Sequence, residues 1–206
     1  MLEADQLSPR RRLLVDAAIE VVAANGLRGL THRAVDREAG LPEGSCSSYL
    51  RTRHAMISAL GEYVASRLTL DVRGLQVELA GCSGDHERAV ALTSELFLRW
   101  LDARALLVAK LELTMEATRD PGLAAVFATW RGELVDAVDG ILEEAGRDSG
   151  QTRSSTLVAA LDGVLMGALL QPADVRRPYV EESVALLLGA VTGHEESHTV
   201  AGGARG

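Results

Sequence analysis

The stretch GLPEGSCSSYLRTR, residues 40–53, joins a glycine turn to a run of small polar residues and a basic exit. Pro42 suits the first turn of a helix, so the spacing predicts a helix of roughly eight residues, on the order of 12 Å long, ending near Tyr49. That helix carries almost nothing a hydrophobic core would take up. A helix lying in the DNA major groove needs small or hydrogen-bonding side chains on its outward face, and Glu43, Gly44, Ser45, Ser47 and Ser48 supply them. The competing reading of these residues is a polar loop.

Upstream, PRRRLLVDAAIEVVAANG places Leu13, Leu14, Ala17, Ala18, Val21 and Val22 on one helical stripe. Ser8 is a candidate N-cap with Pro9 behind it, and Asn25-Gly26 is a left-handed stop. Thr31 can cap a second helix that ends at Gly40, with Leu30 and Val35 as its hydrophobic staple. Two short helices across a glycine turn make a helix-turn-helix. A longer helix starting near Thr52 carries Met56, Leu60, Tyr63, Val64 and Leu68 on one side and links the head to the rest of the chain.

The run GLRGLTHRAVDREAGLPEGSCSSYLRTRHAMISAL resembles the DNA-binding domain of the tetracycline-repressor (TetR) family at Gly26, Thr31, Val35, Gly40, Gly44-Ser45, Tyr49-Leu50 and Arg53. The resemblance covers the first 60 to 70 residues. It implies that Thr31 and Arg53 anchor phosphates, that Arg33, Glu43, Ser45 and Ser48 face base edges, and that Gly44, Ser47 and Tyr49 lie close to the nucleic acid. Residue chemistry agrees in part, because an arginine can make a bidentate contact to guanine and threonine and arginine are used on phosphates. Arg37 and Arg51 read as a solvated face. The sequence departs from the family pattern in three places. Ser47 stands where a tyrosine is usual. Asp36 replaces an alanine between the two helices and is expected to accept hydrogen bonds from the N-terminal amides of the third helix or from Ser45. Cys46 replaces a leucine anchor and reads as a small buried apolar residue.

Charge supports a focused contact with nucleic acid. The chain carries a net −8, but residues 1–70 hold nine arginines against eight acidic residues, so the remainder carries −9. Such a protein does not coat DNA nonspecifically, yet a local arginine-bearing surface acts over the Debye length of about 8 Å. Hydrophobic residues make up 47% of the chain without an apolar run of the length a membrane span needs. The N-terminus has no export signal pattern. Cys46 and Cys82 have no CxxC or Cys/His ladder around them, so a disulfide framework and a metal site are not indicated, and a cytoplasmic location is expected. No cofactor is expected.

Beyond GCSGD at 81–85, where Asp85 or Ser83 can cap the next helix, the sequence predicts helices at about 85–101, 103–118, 121–146, 153–171 and 178–192. Period-2 alternation is lacking, so the fold class is all-α: an N-terminal helix-turn-helix domain at 1–52, a helical ligand-binding and dimerisation domain at 53–192, and a disordered tail at 193–206. Leu157, Leu161, Val164 and Leu165, then Val184, Leu187, Leu188 and Val191, form stripes that suit a four-helix dimer interface, the place where the resembled family has it, or packing within one chain. Gly163 and Gly167 permit close helix approach. Phe97, Trp100, Met115, Phe127, Trp130 and Met166, with Glu112 and Asp162 as polar groups, are the candidate lining of an effector cavity; core packing is the alternative for the aromatics.

The expected function is a homodimeric, ligand-responsive transcriptional regulator, most simply a repressor that a small molecule releases from an inverted-repeat operator of double-stranded DNA. The alternative is a small-molecule binding or sequestering protein whose helix-turn-helix does not read DNA. An enzyme finds no support, because His32, His54 and His86 have no nucleophile, metal or paired-carboxylate arrangement near them in sequence.

Overall fold

Side-chain caps set most helix starts in this chain, and the computed structural model, which describes residues 7–81, 85–147 and 149–192, shows them in place. Ser8 Oγ accepts from the Arg11 amide at the head of α1 (Pro9–Gly29). Thr31 Oγ1 accepts from Ala34 at the head of α2 (His32–Glu38), and Thr52 Oγ1 from Ala55 at the head of α4 (Arg53–Ala80). Between them lies α3 (Ser45–Tyr49). The body follows as α5 (His86–Asp102), α6 (Arg104–Ala117), α7 (Pro121–Glu144), α8 (Gln151–Leu169) and α9 (Ala173–Thr192). Asp85 caps α5 through the Arg88 amide; Ser83, the other candidate, lies outside the described residues, as does the tail at 193–206. All elements among the described residues are helices, and none is long and apolar enough to cross a membrane.

Three boundaries differ from the sequence reading. α3 has five residues rather than eight, because Gly44 adopts φ +93°, a left-handed conformation that ends any helix begun at Pro42. Gly26 breaks α1 at φ +65°, ψ 176°, as the Asn25-Gly26 signal predicts, but one further turn follows to Gly29. Pro178 sits inside α9 rather than at its start. The missing N–H costs that helix one hydrogen bond, while Val180 and Val184 beyond it are fully buried and hold the helix in place.

The core runs continuously from head to body. Leu14, Val22, Leu30, Val35 and Cys46 fill the head, and Leu30 and Val35 form the expected staple. α4 packs chiefly on α7, α1 on α6, and α5 and α8 on α9. Close approach of α8 to α9 depends on Gly167, where a Cβ would collide with the Tyr179 hydroxyl, whereas Gly163 faces open space. Polar ties cross the packing: Tyr63 donates to Asp16 Oδ1 at 2.8 Å between α4 and α1, and burial together with that bond raises the phenol above its ordinary pKa. At the foot of α7, Asp120 accepts from the Leu123 and Gly122 amides and faces His54 at 3.3 Å. The amides, Leu123 first, and the imidazole hold its carboxyl below the usual range.

Candidate functional site

The outward side of the helix-turn-helix carries the residues that the sequence assigns to DNA. Thr31, Arg33, Glu43, Gly44, Ser48, Tyr49 and Arg53 are exposed, and Ser45 and Ser47 are half-buried. Arg33 Nε lies 3.8 Å from Glu43 Oε2 with both side chains about four-fifths exposed; a pair so hydrated is weak and leaves the guanidinium free to exchange partners. The Ser45, Ser47 and Ser48 hydroxyls donate to the carbonyls of Pro42, Gly44 and Ser45. Each hydroxyl oxygen keeps lone pairs for a further donor. Arg37 and Arg51 are exposed, in keeping with a solvated face.

The same helix is held from beneath by Asp36, which is 1% exposed. Its Oδ2 accepts from the Gly44 amide at 2.8 Å and its Oδ1 from the Cys46 amide at 2.6 Å, the first of the two arrangements the sequence allowed. These donors are among the orphan N–H groups that open a helix, so one carboxylate both caps α3 and fixes its distance from α2. His32 Nε2 adds a contact of 2.6 Å to the Leu50 carbonyl at the other end.

Cys46 is fully buried with its Sγ 3.6 Å from Met56 Sδ. Burial, helped by the Asp36 charge, raises its thiol pKa from 9.0 to about 11. The thiolate fraction at pH 8 is then about one in a thousand. Cys46 is therefore expected to resist iodoacetamide in the folded protein and to react once the chain is denatured, as peptide mass spectrometry would report; ready alkylation of the native state would refute this assignment. A raised pKa favours the protonated thiol in the fold, so this contribution to stability is present below pH 9 and fades as pH rises towards 11.

Head and body meet at the Leu27 peptide, just past the Gly26 break. Its N–H donates to Glu112 Oε2 of α6 at 3.3 Å, and its carbonyl accepts from Arg53 Nη2 of α4 at 2.5 Å. Glu112 therefore faces α1 and not an effector cavity, a correction to the sequence reading. Arg53 is pinned by one N–H and has four left for other acceptors.

The remaining candidates for an effector lining separate into three groups. Phe97 and Trp100 are buried and stacked at 5.7 Å, with Trp100 Nε1 donating to Asp71 at 2.8 Å, and Phe127 meets Trp130 edge-on at 5.8 Å. Met115 and Met166 are 58% and 54% exposed and point away from the body, because the faces of α6 and α8 that carry Leu113 and Leu165 are the ones buried. Asp162 is already neutralised, by Lys110 at 2.5 Å and by Arg131. Several clefts open among the described residues, the most voluminous of them, of about 1330 Å³, along α1 and α6, and one of them beside Trp130. An apolar one, of about 910 Å³ when the space open to solvent is counted, is walled by Leu75 and Leu79 of α4, Ala89 of α5, Ile141 of α7, Leu161 of α8 and Leu188 of α9, with Asp85 and Glu144 among its polar members. A more polar one of about 720 Å³ lies between α4 and α7 and includes Trp130. The aliphatic walls of the apolar cleft carry no sequence signal that separates them from core.

The stripes predicted as a dimer interface turn inward. Leu157, Val164, Leu165 and Val184 are buried in the chain's own core, and Leu161, Leu187 and Leu188 are half-buried. The Val191 side chain lies outside the described residues. A helical stripe marks the buried side of a helix without saying which surface covers it, and here α8, α9 and their neighbours in one chain do so. The outward sides carry Met166, Leu170, Val175 and Leu186, with Leu170 83% and Leu186 74% exposed.

This arrangement of a small helical head on a long-helix body is shared with known regulators. No curated protein sequence matches the chain. A transcriptional regulator from Rhodococcus sp. Rha1 superimposes with a TM-score of 0.69 at 23% identity, over 89% of this chain and 96% of that one, a likeness of fold. A TetR-family member from Streptomyces coelicolor A3 gives 0.66 at 27% identity, over 87% and 98%. The multidrug binding protein EbrR, solved in complex with ethidium, gives 0.58 at 30% identity over 87% and 98%, and its malachite green complex gives 0.66 at 26% over 90% and 99%. The Tetracyclin repressor-like, C-terminal domain matches residues 84–190, more than half of the chain. With the helix-turn-helix ahead of that domain, the chain belongs to the tetracycline-repressor family of transcriptional regulators.

Proposed function

We propose that the chain acts in the cytoplasm as a homodimeric repressor that sits on an inverted-repeat operator and leaves it when a small molecule binds the body. The observation that carries this reading is α3, a five-residue helix of small polar side chains whose inner face is bolted down by Asp36 while Arg33, Glu43, Ser48 and Tyr49 stand exposed around it. In this reading Arg33, Glu43, Ser45 and Ser48 read base edges, and Thr31 and Arg53 hold phosphates. The exposed apolar residues of α8 and α9 join two copies, and a two-fold pair of heads fits a palindromic site.

The apolar cleft is the effector site of this proposal, and EbrR, a multidrug binding protein similar to this chain, supports an organic ligand. Leu75 and Leu79 put α4 in its wall, and the first residue of α4 holds the Leu27 carbonyl. A ligand that shifts α4 therefore acts on the junction that orients the head. A coupling of about 1 to 3 kcal/mol lowers operator affinity roughly 5 to 150-fold, enough for release.

Selection of random double-stranded DNA by the purified protein, read by sequencing and repeated with Arg33→Ala, tests this. An inverted repeat is expected, and its enrichment is expected to disappear in the variant, since each lost base contact costs about 1 to 3 kcal/mol and occurs in both half-sites. No enrichment by a folded protein at moderate salt would reject the repressor and leave a ligand-binding helical protein.

A further inference from the structure

Three buried polar atoms of α4 and α7 have no partner among the described residues: Thr69 Oγ1, Trp130 Nε1 and Glu133 Oε2. Their residues line the same cleft of about 720 Å³, with Val72 and Leu134 as apolar wall and Arg73 and Gln76 beside them. Trp130 is 5% and Thr69 8% exposed. Each unmade bond of this kind costs about 1 to 3 kcal/mol, so three around one space are not explained by packing. Arg11 Nε and Ser94 Oγ are also without a partner but stand singly, while Asp36 takes two amides, Ser154 donates to Asp139, and Lys110 meets Asp162.

The pattern of the three atoms limits what fits. An indole N–H only donates, a carboxylate only accepts, and a hydroxyl does both. Glu133 makes no ion pair among the described residues, and Arg73 beside it makes none either. Lys110, whose Nζ lies 5.4 Å from the Trp130 ring centre, is committed to Asp162. Water can satisfy a lone donor or acceptor, but a carboxylate oxygen is bonded most strongly by a cationic donor.

We propose that this α4/α7 cleft binds a primary amine bearing a hydroxyl or carbonyl oxygen on a neighbouring carbon. The ammonium donates to Glu133, the oxygen accepts from Trp130 and faces the Thr69 hydroxyl, and the hydrocarbon lies against Val72 and Leu134. It is a site apart from the apolar cleft, and it rests on the ligand-responsive reading only for its effect on DNA, since a ligand held by Thr69 and Val72 bears directly on α4.

Binding is read without DNA, so failure here is distinct from failure of the operator selection. The full-length protein, nitrogen-labelled, is titrated with phenylethanolamine and with phenylethylene glycol, its uncharged diol counterpart, while the two indole N–H resonances are followed by nuclear magnetic resonance. Trp130→Phe assigns them. A saturable shift of the Trp130 resonance with the amine, the Trp100 resonance remaining still, is expected, and the diol should bind at least about tenfold more weakly. Glu133→Gln, which preserves size, should bring amine and diol within about twofold of each other, and the unmoved Trp100 resonance serves as its check on folding. No shift up to about 10 mM amine, or equal affinity for amine and diol in the unaltered protein, would overturn the proposal and leave a water-filled cleft.

Discussion

Replacing Asp36 with alanine is expected to lower the melting temperature by about 6 to 12 °C. The substitution removes the acceptor of two backbone amides, Gly44 at 2.8 Å and Cys46 at 2.6 Å, the latter bond fully buried. A stranded buried donor costs about 1 to 3 kcal/mol and bonds to a charged acceptor stand at the upper end, so the pair is worth about 3 kcal/mol. For a chain of this length each kcal/mol moves the midpoint by about 2 to 4 °C. Asp36→Asn keeps one carbonyl acceptor and should recover part of the loss. Because α3 has only five residues, it has little helical stability of its own. Amide exchange at Gly44 and Cys46 is therefore expected to rise by more than at α1 residues such as Val22. A midpoint that moves by no more than about 1 °C would show that the head tolerates an unanchored α3.

Asp36 also illustrates what could be read from the chain alone. A carboxylate at a site that calls for a small apolar residue is a local conflict, and local conflicts have local solutions: the nearest unpaired donors were the amides opening the next helix. The capping residues Ser8 and Thr31, and Asp85 as one of two candidates, are legible for the same reason, since a cap acts within three residues. The proline signal at Pro42 predicts too long an α3 because Gly44, two residues on, is left-handed and ends the turn. Long-range features were harder. Glu112 and Asp162 were recognisable as buried-side carboxylates, but whether each faced a cavity, a peptide or a lysine depends on which helices cross there, and neither residue's neighbours in sequence record it. Met115 and Met166 failed because large apolar residues are common on exposed faces, and composition does not say which. Clefts lie where helices fail to meet, so the walls at Leu75 and Ile141 look like any other core position.

Asp162→Asn should destabilise the body by about 3 kcal/mol, and Lys110→Met should restore most of it. Asp162 is the counter-charge of Lys110, the sole lysine of the chain, whose residue is 7% exposed. Removing one member of a buried pair leaves an uncompensated ion at about 3 to 5 kcal/mol. The lower figure applies because the Asp162 side chain is 30% exposed and water reaches it. The Trp130 ring beneath Nζ offers a small compensation, since a cation over an aromatic face is worth about 0.5 to 2 kcal/mol. Lys110→Met alone removes the buried cation and leaves Asp162 with Arg131, so that variant should lie near the unaltered protein in stability. The cycle of the two substitutions, followed by urea unfolding, then gives a coupling of at least about 2 kcal/mol. If Asp162→Asn and Lys110→Met were instead additive, the charge of Lys110 would be carried by solvent or by Trp130, and the pair would be a consequence of how α6, α7 and α8 pack rather than part of what holds them together.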